Sequence, residues 1–158
     1  MINLTTPSGS AVQINGDRVT RIRAAFSDES DPPAKTRIDW VNLQFVLEEP
    51  GSVAQQVKQE NRSLTQLAAP NGSPFWFDVR QAAGPIRIFP SQIPDGTHSA
   101  IFLANKTQFV SNTPQQVRDV IAAAGGSPLP IPSEGFAGVV ANAVGKLRNR
   151  IAPQTNWD

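Results

Sequence analysis

Compared with itself, this chain of 158 residues carries one pattern twice, and a repeat of this kind limits the folds open to it more than any motif does. Leu4-Thr5 precedes the turn Pro7-Ser8-Gly9-Ser10, and Val12 and Ile14 then alternate with polar residues. Later, Leu64-Thr65 precedes Pro70-Asn71-Gly72-Ser73, followed by alternating Phe75 and Phe77. Downstream, Gln44-Phe45-Val46 and Gln55-Gln56-Val57 are echoed by Gln108-Phe109-Val110 and Gln115-Gln116-Val117. The gap between these two landmarks differs by four residues between the halves, which predicts one loop or helix end of different length. The expectation is an α+β, mainly β protein with two tandem β-hairpin-plus-helix repeats, 1–60 and 61–126. A unit of about 60 residues makes a marginal core by itself. The halves are therefore expected to pack as one pseudo-twofold antiparallel domain.

Within the first half, Ile2/Leu4 and Val12/Ile14 suggest a hairpin, and Asn15-Gly16 a turn at positive φ. Arg18 to Phe26 reads as a strand. Thr36 to Glu48 reads as a second one, with Ile38 and Trp40 in one phase and Val41, Leu43, Phe45 and Leu47 in the other. A bulge near Trp40-Val41 would join the two phases. Val53 and Val57 lie one helical turn apart within 51–60. The second half repeats the plan, with strands at Phe75–Val79 and Pro85–Phe89 and a hairpin turning at Ala104-Asn105-Lys106. Asn112 or Thr113 should cap a helix that begins with Pro114 and stops at Gly125-Gly126.

Residues 127–158 differ in composition. Leu129 and Ile131 alternate with Pro128, Pro130 and Pro132, which predicts an extended arm. Beyond Ser133, the residues Phe136, Val140, Val144, Leu147 and Ile151 recur at helical spacing, and Pro153 ends the pattern. Gly135, Gly138 and Gly145 each cost such a helix about 1 kcal/mol relative to Ala, so it needs packing to hold it. Leu129, Ile131, Phe136, Val140, Val144, Leu147, Ile151 and Trp157 are the candidate partner-binding residues, docking on a protein subunit of a larger assembly.

The opening Met1-Ile2-Asn3-Leu4-Thr5, the turn at Gly9, Val12-Gln13-Ile14-Asn15 and the run Val19 to Ile22 resemble the FlbD-type small flagellar and swarming-motility proteins. Phe109-Val110-Ser111 followed by 114–122 is similar to the strand and short helix that end that family's pattern. The resemblance covers about forty residues per half and implies a β-then-helix unit in an adaptor or regulatory protein that binds a protein partner or RNA. Doubling, Pro-rich loops and the added tail depart from the family.

Composition narrows the chemistry. Cys is absent and His98 is the lone histidine, so Cys nucleophiles, disulfides, thiolate metal sites and two-His zinc sites have no residues to build them. Asp28-Glu29-Ser30-Asp31 lacks the spacing of a calcium loop, and no phosphate-binding Gly motif occurs. Asn3, Asn61 and Asn105 match the glycan-acceptor triplet, which chance explains. Arg18, Arg21 and Arg23 form a basic strand. Yet 14 Lys+Arg face 13 Asp+Glu, too balanced for a phosphate-tracking surface. Neither a leader nor a membrane span is expected from the sequence. These features predict a non-enzymatic structural or assembly protein without cofactor or metal, oligomeric or bound to another protein. A virion component such as a capsid decoration or head–tail accessory protein suits this composition, and a virion or cytoplasmic location follows from it.

Overall fold

The sequence order of elements explains the architecture. In a computed structural model describing residues 1–89, 93–132 and 155–158, strands β1 (Ile2–Thr5) and β2 (Ala11–Ile14) lead through a 3₁₀ turn at Gly16–Arg18 to β3 (Arg21–Ala24), β4 (Thr36–Asp39), β5 (Leu43–Val46) and helix α1 (Pro50–Glu60). The order then recurs: β6 (Leu64–Ala68), β7 (Pro74–Asp78), a 3₁₀ turn at Val79–Gln81, β8 (Ala82–Ile86), β9 (Ser99–Leu103), β10 (Lys106–Val110) and α2 (Pro114–Ala123). A short β11 (Thr155–Asn156) ends the chain. The described residues thus form an α+β protein, mainly β, with strands in three sheets.

The chain divides into two compact units, Met1–Gln66 with Ser73–Arg80, and Leu67–Gly72 with Gln81–Asp158. β7 pairs antiparallel with β3 and so completes the first unit's sheet, ordered β5-β4-β3-β7-β6. One face of that sheet offers Ile22, Ile38 and Val46 to Val53, Ala54 and Val57 of α1. Ile2, Leu4, Ile14, Val19 and Leu64 complete this core, with Trp40 and Trp76 packed against it. Each fully buried aliphatic side chain contributes about 1.5–3 kcal/mol. The spacing of Val53 and Val57 therefore decides which face of α1 turns inward.

The second unit's sheet runs β11-β10-β9-β8, with α2 against β8 and β9. Ile101, Leu103, Val110, Val117 and Ile121 are fully buried there. Thr113 and Gln116 form a reciprocal capping box at the start of α2, and Pro114 occupies its first turn. Ala104 and Asn105, at φ 48 and 67, make the tight turn between β9 and β10.

Corresponding hydrogen bonds accompany the repeated order. Leu47 N–H donates to Thr5 O at 2.9 Å, and Ser111 N–H to Ala68 O at 2.9 Å. Lys35 N–H donates to Val46 O at 3.1 Å, and His98 N–H to Val110 O at 2.9 Å. Gln44 Nε2 reaches Phe45 O, and Gln108 Nε2 reaches Phe109 O, both at 2.9 Å.

Three local expectations need correction. Thr36–Glu48 is not one bulged strand: the change of phase at Trp40 is a reversal of the chain, closed by Trp40 N–H to Asn42 O at 2.9 Å. Gly16 is not a positive-φ turn residue. Asn15 caps the 3₁₀ turn there, and a Cβ on Gly16 would lie 2.8 Å from Glu60 Oε2. Finally, the helices begin at the same distance from their preceding strands, Val46 to Pro50 and Val110 to Pro114. The paired Gln-Gln-Val landmarks lie one helical turn out of step, and the inward residues that correspond are Val53 with Val117 and Val57 with Ile121.

Candidate interaction edges

Two features stand apart from the apolar cores: a largely buried network of arginines and carboxylates on the β3–β4 pair, and the outer edges of the two hairpins. Register places Arg21 opposite Asp39 and Arg23 opposite Arg37. Like charges facing each other across strands repel. Glu29, in the loop after β3, resolves the conflict by accepting from Arg23 Nη1 and Nη2 at 2.6 and 2.8 Å and from Arg37 Nη1 at 3.1 Å. Burial pushes the Glu29 carboxyl up, but the Arg23 guanidinium, the Phe26 N–H and Arg37 outweigh it and hold the pKa at about 2. Arg21, fully buried, donates from Nε to Asp39 Oδ2 at 2.9 Å. Asp39 also accepts from Arg37 Nε at 3.0 Å, and the Arg23 guanidinium stacks 4.1 Å above the Phe26 ring. This network ties a loop to a sheet. Of the arginines on the basic strand read from the sequence, Arg21 and Arg23 are buried against carboxylates, while Arg18 is exposed.

Glu29 is engaged by cations, and no group of three or more His, Asp or Glu able to hold a metal occurs among the described residues. His98 Nδ1 donates to Ser111 O at 2.9 Å beside the β9–β10 hairpin. Asn61 is buried, with Nδ2 donating to Asp78 Oδ2 at 3.1 Å, so its amide is closed to a glycan. No helix among the described residues is long and apolar enough to cross a membrane.

The hairpin edges differ from one another. In antiparallel pairs, alternate residues direct their N–H and C=O groups towards the partner strand or away from it. Val46 O is directed at Lys35, so Leu43, Phe45 and Leu47 turn theirs outward, as the Leu47 bond to Thr5 shows. By the same alternation Thr107, Phe109 and Ser111 turn outward on β10. There the edge is occupied: β11 pairs in parallel, Lys106 with Thr155 and Thr107 with Asn156, and Trp157 N–H donates to Thr107 O at 2.9 Å. The Trp157 indole is buried, with Nε1 donating to Leu103 O at 2.9 Å and Lys106 Nζ sitting 4.3 Å from its ring centre. On the first unit, β5 is the outermost strand of its sheet among the described residues.

Of the residues expected to bind a partner, Trp157 is therefore engaged by its own chain. Leu129 is half-buried and fixed through its backbone, its N–H donating to Gly84 O at 2.7 Å and its carbonyl accepting from Arg118 Nη1 at 2.6 Å. Ile131 stands exposed. Phe136, Val140, Val144, Leu147 and Ile151, with the expected helix that carries them, lie outside the described residues. Sequence reasoning missed the edge of β5 and the strand at 155–156. The phase switch at Trp40 was the available signal for the first, while two residues are too few for any periodicity to reveal the second. No family model matches the chain, and neither a curated protein nor a solved structure matches it.

Proposed function

We propose that this protein is a non-enzymatic structural component that works by assembly with other protein subunits, in a role of the kind filled by capsid decoration or head–tail accessory proteins in virions. We further infer that its two halves descend from one duplicated β-plus-helix unit, on the strength of their matching element order and hydrogen bonds. The observation that carries the assembly reading is the seating of residues 155–157 on the β10 edge. Main-chain hydrogen bonds supply the attachment and one buried indole supplies the anchor, the chemistry by which an extended segment joins a sheet edge. Low charge, abundant Pro and a backbone-fixed arm at Leu129 support the same reading. Sedimentation of the full chain over a wide concentration range tests it, alone and with candidate virion proteins from its source. Discrete higher-mass species are expected, and a monomer under every condition would overturn the assembly role.

A further inference from the structure

We propose that the outer edge of β5 is an acceptor slot for a short extended segment of a partner protein, one that enters parallel to the strand and brings an aromatic side chain, as residues 155–157 do on β10. The inference rests on the assembly reading and names the site and ligand class it would use. Three observations carry it.

The first is correspondence. β5 and β10 occupy the same place in the repeated order, and each has a Gln side chain capping the carbonyl of the following Phe. By the pairing registers Leu43, the first residue of β5, stands where Thr107 stands on β10, and Asn42 just before it stands where Lys106 does. The second is length. At one end of each edge an outward N–H is taken, Leu47 by Thr5 and Ser111 by Ala68, and the Gln cap closes the outward carbonyl before it. What remains is a slot of about two residues. On β10 the pairing with β11 fills only Lys106 and Thr107. A slot so bounded suits a short segment with a side-chain anchor and is too short for a long strand-to-strand seam between two copies.

The third is exposure. Thr107 is 3% exposed under its added strand, whereas Leu43 is 49% exposed and its neighbours Val41 and Leu47 are 56% and 37% exposed. Edges left bare in this way are normally blunted with Lys or Pro, and β5, Leu-Gln-Phe-Val, carries neither. Apolar side chains beside outward-facing backbone groups give an incoming aromatic a surface to cover. Residues 155–157 are seated on β10, and among the described residues no further extended segment lies beside β5, so the segment proposed for this slot comes from another protein.

A synthetic peptide of residues 153–158, Pro-Gln-Thr-Asn-Trp-Asp, is the probe. It is titrated into the isotope-labelled full chain while backbone amide shifts are recorded. Saturable shifts at Asn42, Leu43 and Phe45 are expected. The peptide with Ala in place of its Trp should lose at least tenfold in affinity, and Leu43→Lys should abolish the shifts while the rest of the spectrum stays folded. Shifts confined to 106–109 would mean that the peptide only competes with β11, and would overturn the proposal. So would an absence of shifts, or β5 shifts that depend on protein concentration without peptide, which would indicate pairing between two copies. Sedimentation of Leu43→Lys separates the two readings. If higher-mass species persist while the peptide fails to bind, the assembly role stands and the β5 slot falls.

Discussion

Glu29 joins two arginines that the register of β3 and β4 would otherwise set against each other. Its carboxyl titrates at about 2 in the fold, against an ordinary value of 4.5. A carboxyl depressed in this way stabilises the protein in full above about pH 4.5, and its contribution drains away as pH falls from there towards 2. After allowance for solvent screening it is on the order of 2 kcal/mol. Denaturant midpoints measured from pH 7 down to pH 2 should therefore fall more steeply for the native chain than for Glu29→Gln, which starts lower and has less to lose. Parallel profiles for the two proteins would contradict the role given to Glu29. Gly96 illustrates a different constraint. It sits at φ +85, and a Cβ there would lie 2.2 Å from the carbonyl oxygen of Pro70. Because backbone strain and backbone clash act together, Gly96→Ala should cost at least about 2 kcal/mol in chemical denaturation. A change below half of that would show the segment able to move aside.

At the scale of elements, the two helices share their position and their inward residues but not their starts. α2 begins with a reciprocal capping box, while Glu49 at the start of α1 makes no side-chain cap. Thr113→Ala should lower stability by about 1 kcal/mol, while Glu49→Ala, which removes only an exposed pair with Lys35, should stay within a few tenths. Equal losses from the two substitutions would refute this difference. The same elements show what was legible in the sequence. Thr113 with Pro114, and Val117 with Ile121, announce α2 by capping chemistry and spacing, which act over a few neighbouring residues. Phe75 and Phe77 likewise announce a buried strand face. The phases of Ile38 and Leu43 were visible too, but periodicity cannot distinguish a bulge from a reversal, because each shifts the pattern by one residue. The partner of β7 was hidden altogether, since its pairing with β3 depends on distant residues and leaves no local mark. Trp157 gave only half of its meaning: an aromatic near the chain's end promised burial but not the surface that provides it.

Over the whole molecule, near-balanced charge and a mainly β fold support the proposal that partners are met at backbone edges instead of through an electrostatic field. One hairpin edge is closed by the chain's own last residues, and its counterpart on β5 carries exposed Val41 and Leu43. The proposed function rests on that asymmetry, because the occupied edge shows the mode of attachment proposed for the other. Residue-resolved hydrogen exchange of the dilute full chain measures both edges at once. A protected Trp157 amide and indole, held by Thr107 O and Leu103 O, are expected beside a Leu43 amide that exchanges at nearly the rate of an unstructured peptide. A Trp157 amide that exchanges as fast as a free tail, or a Leu43 amide as protected as the interior of the sheet, would contradict it.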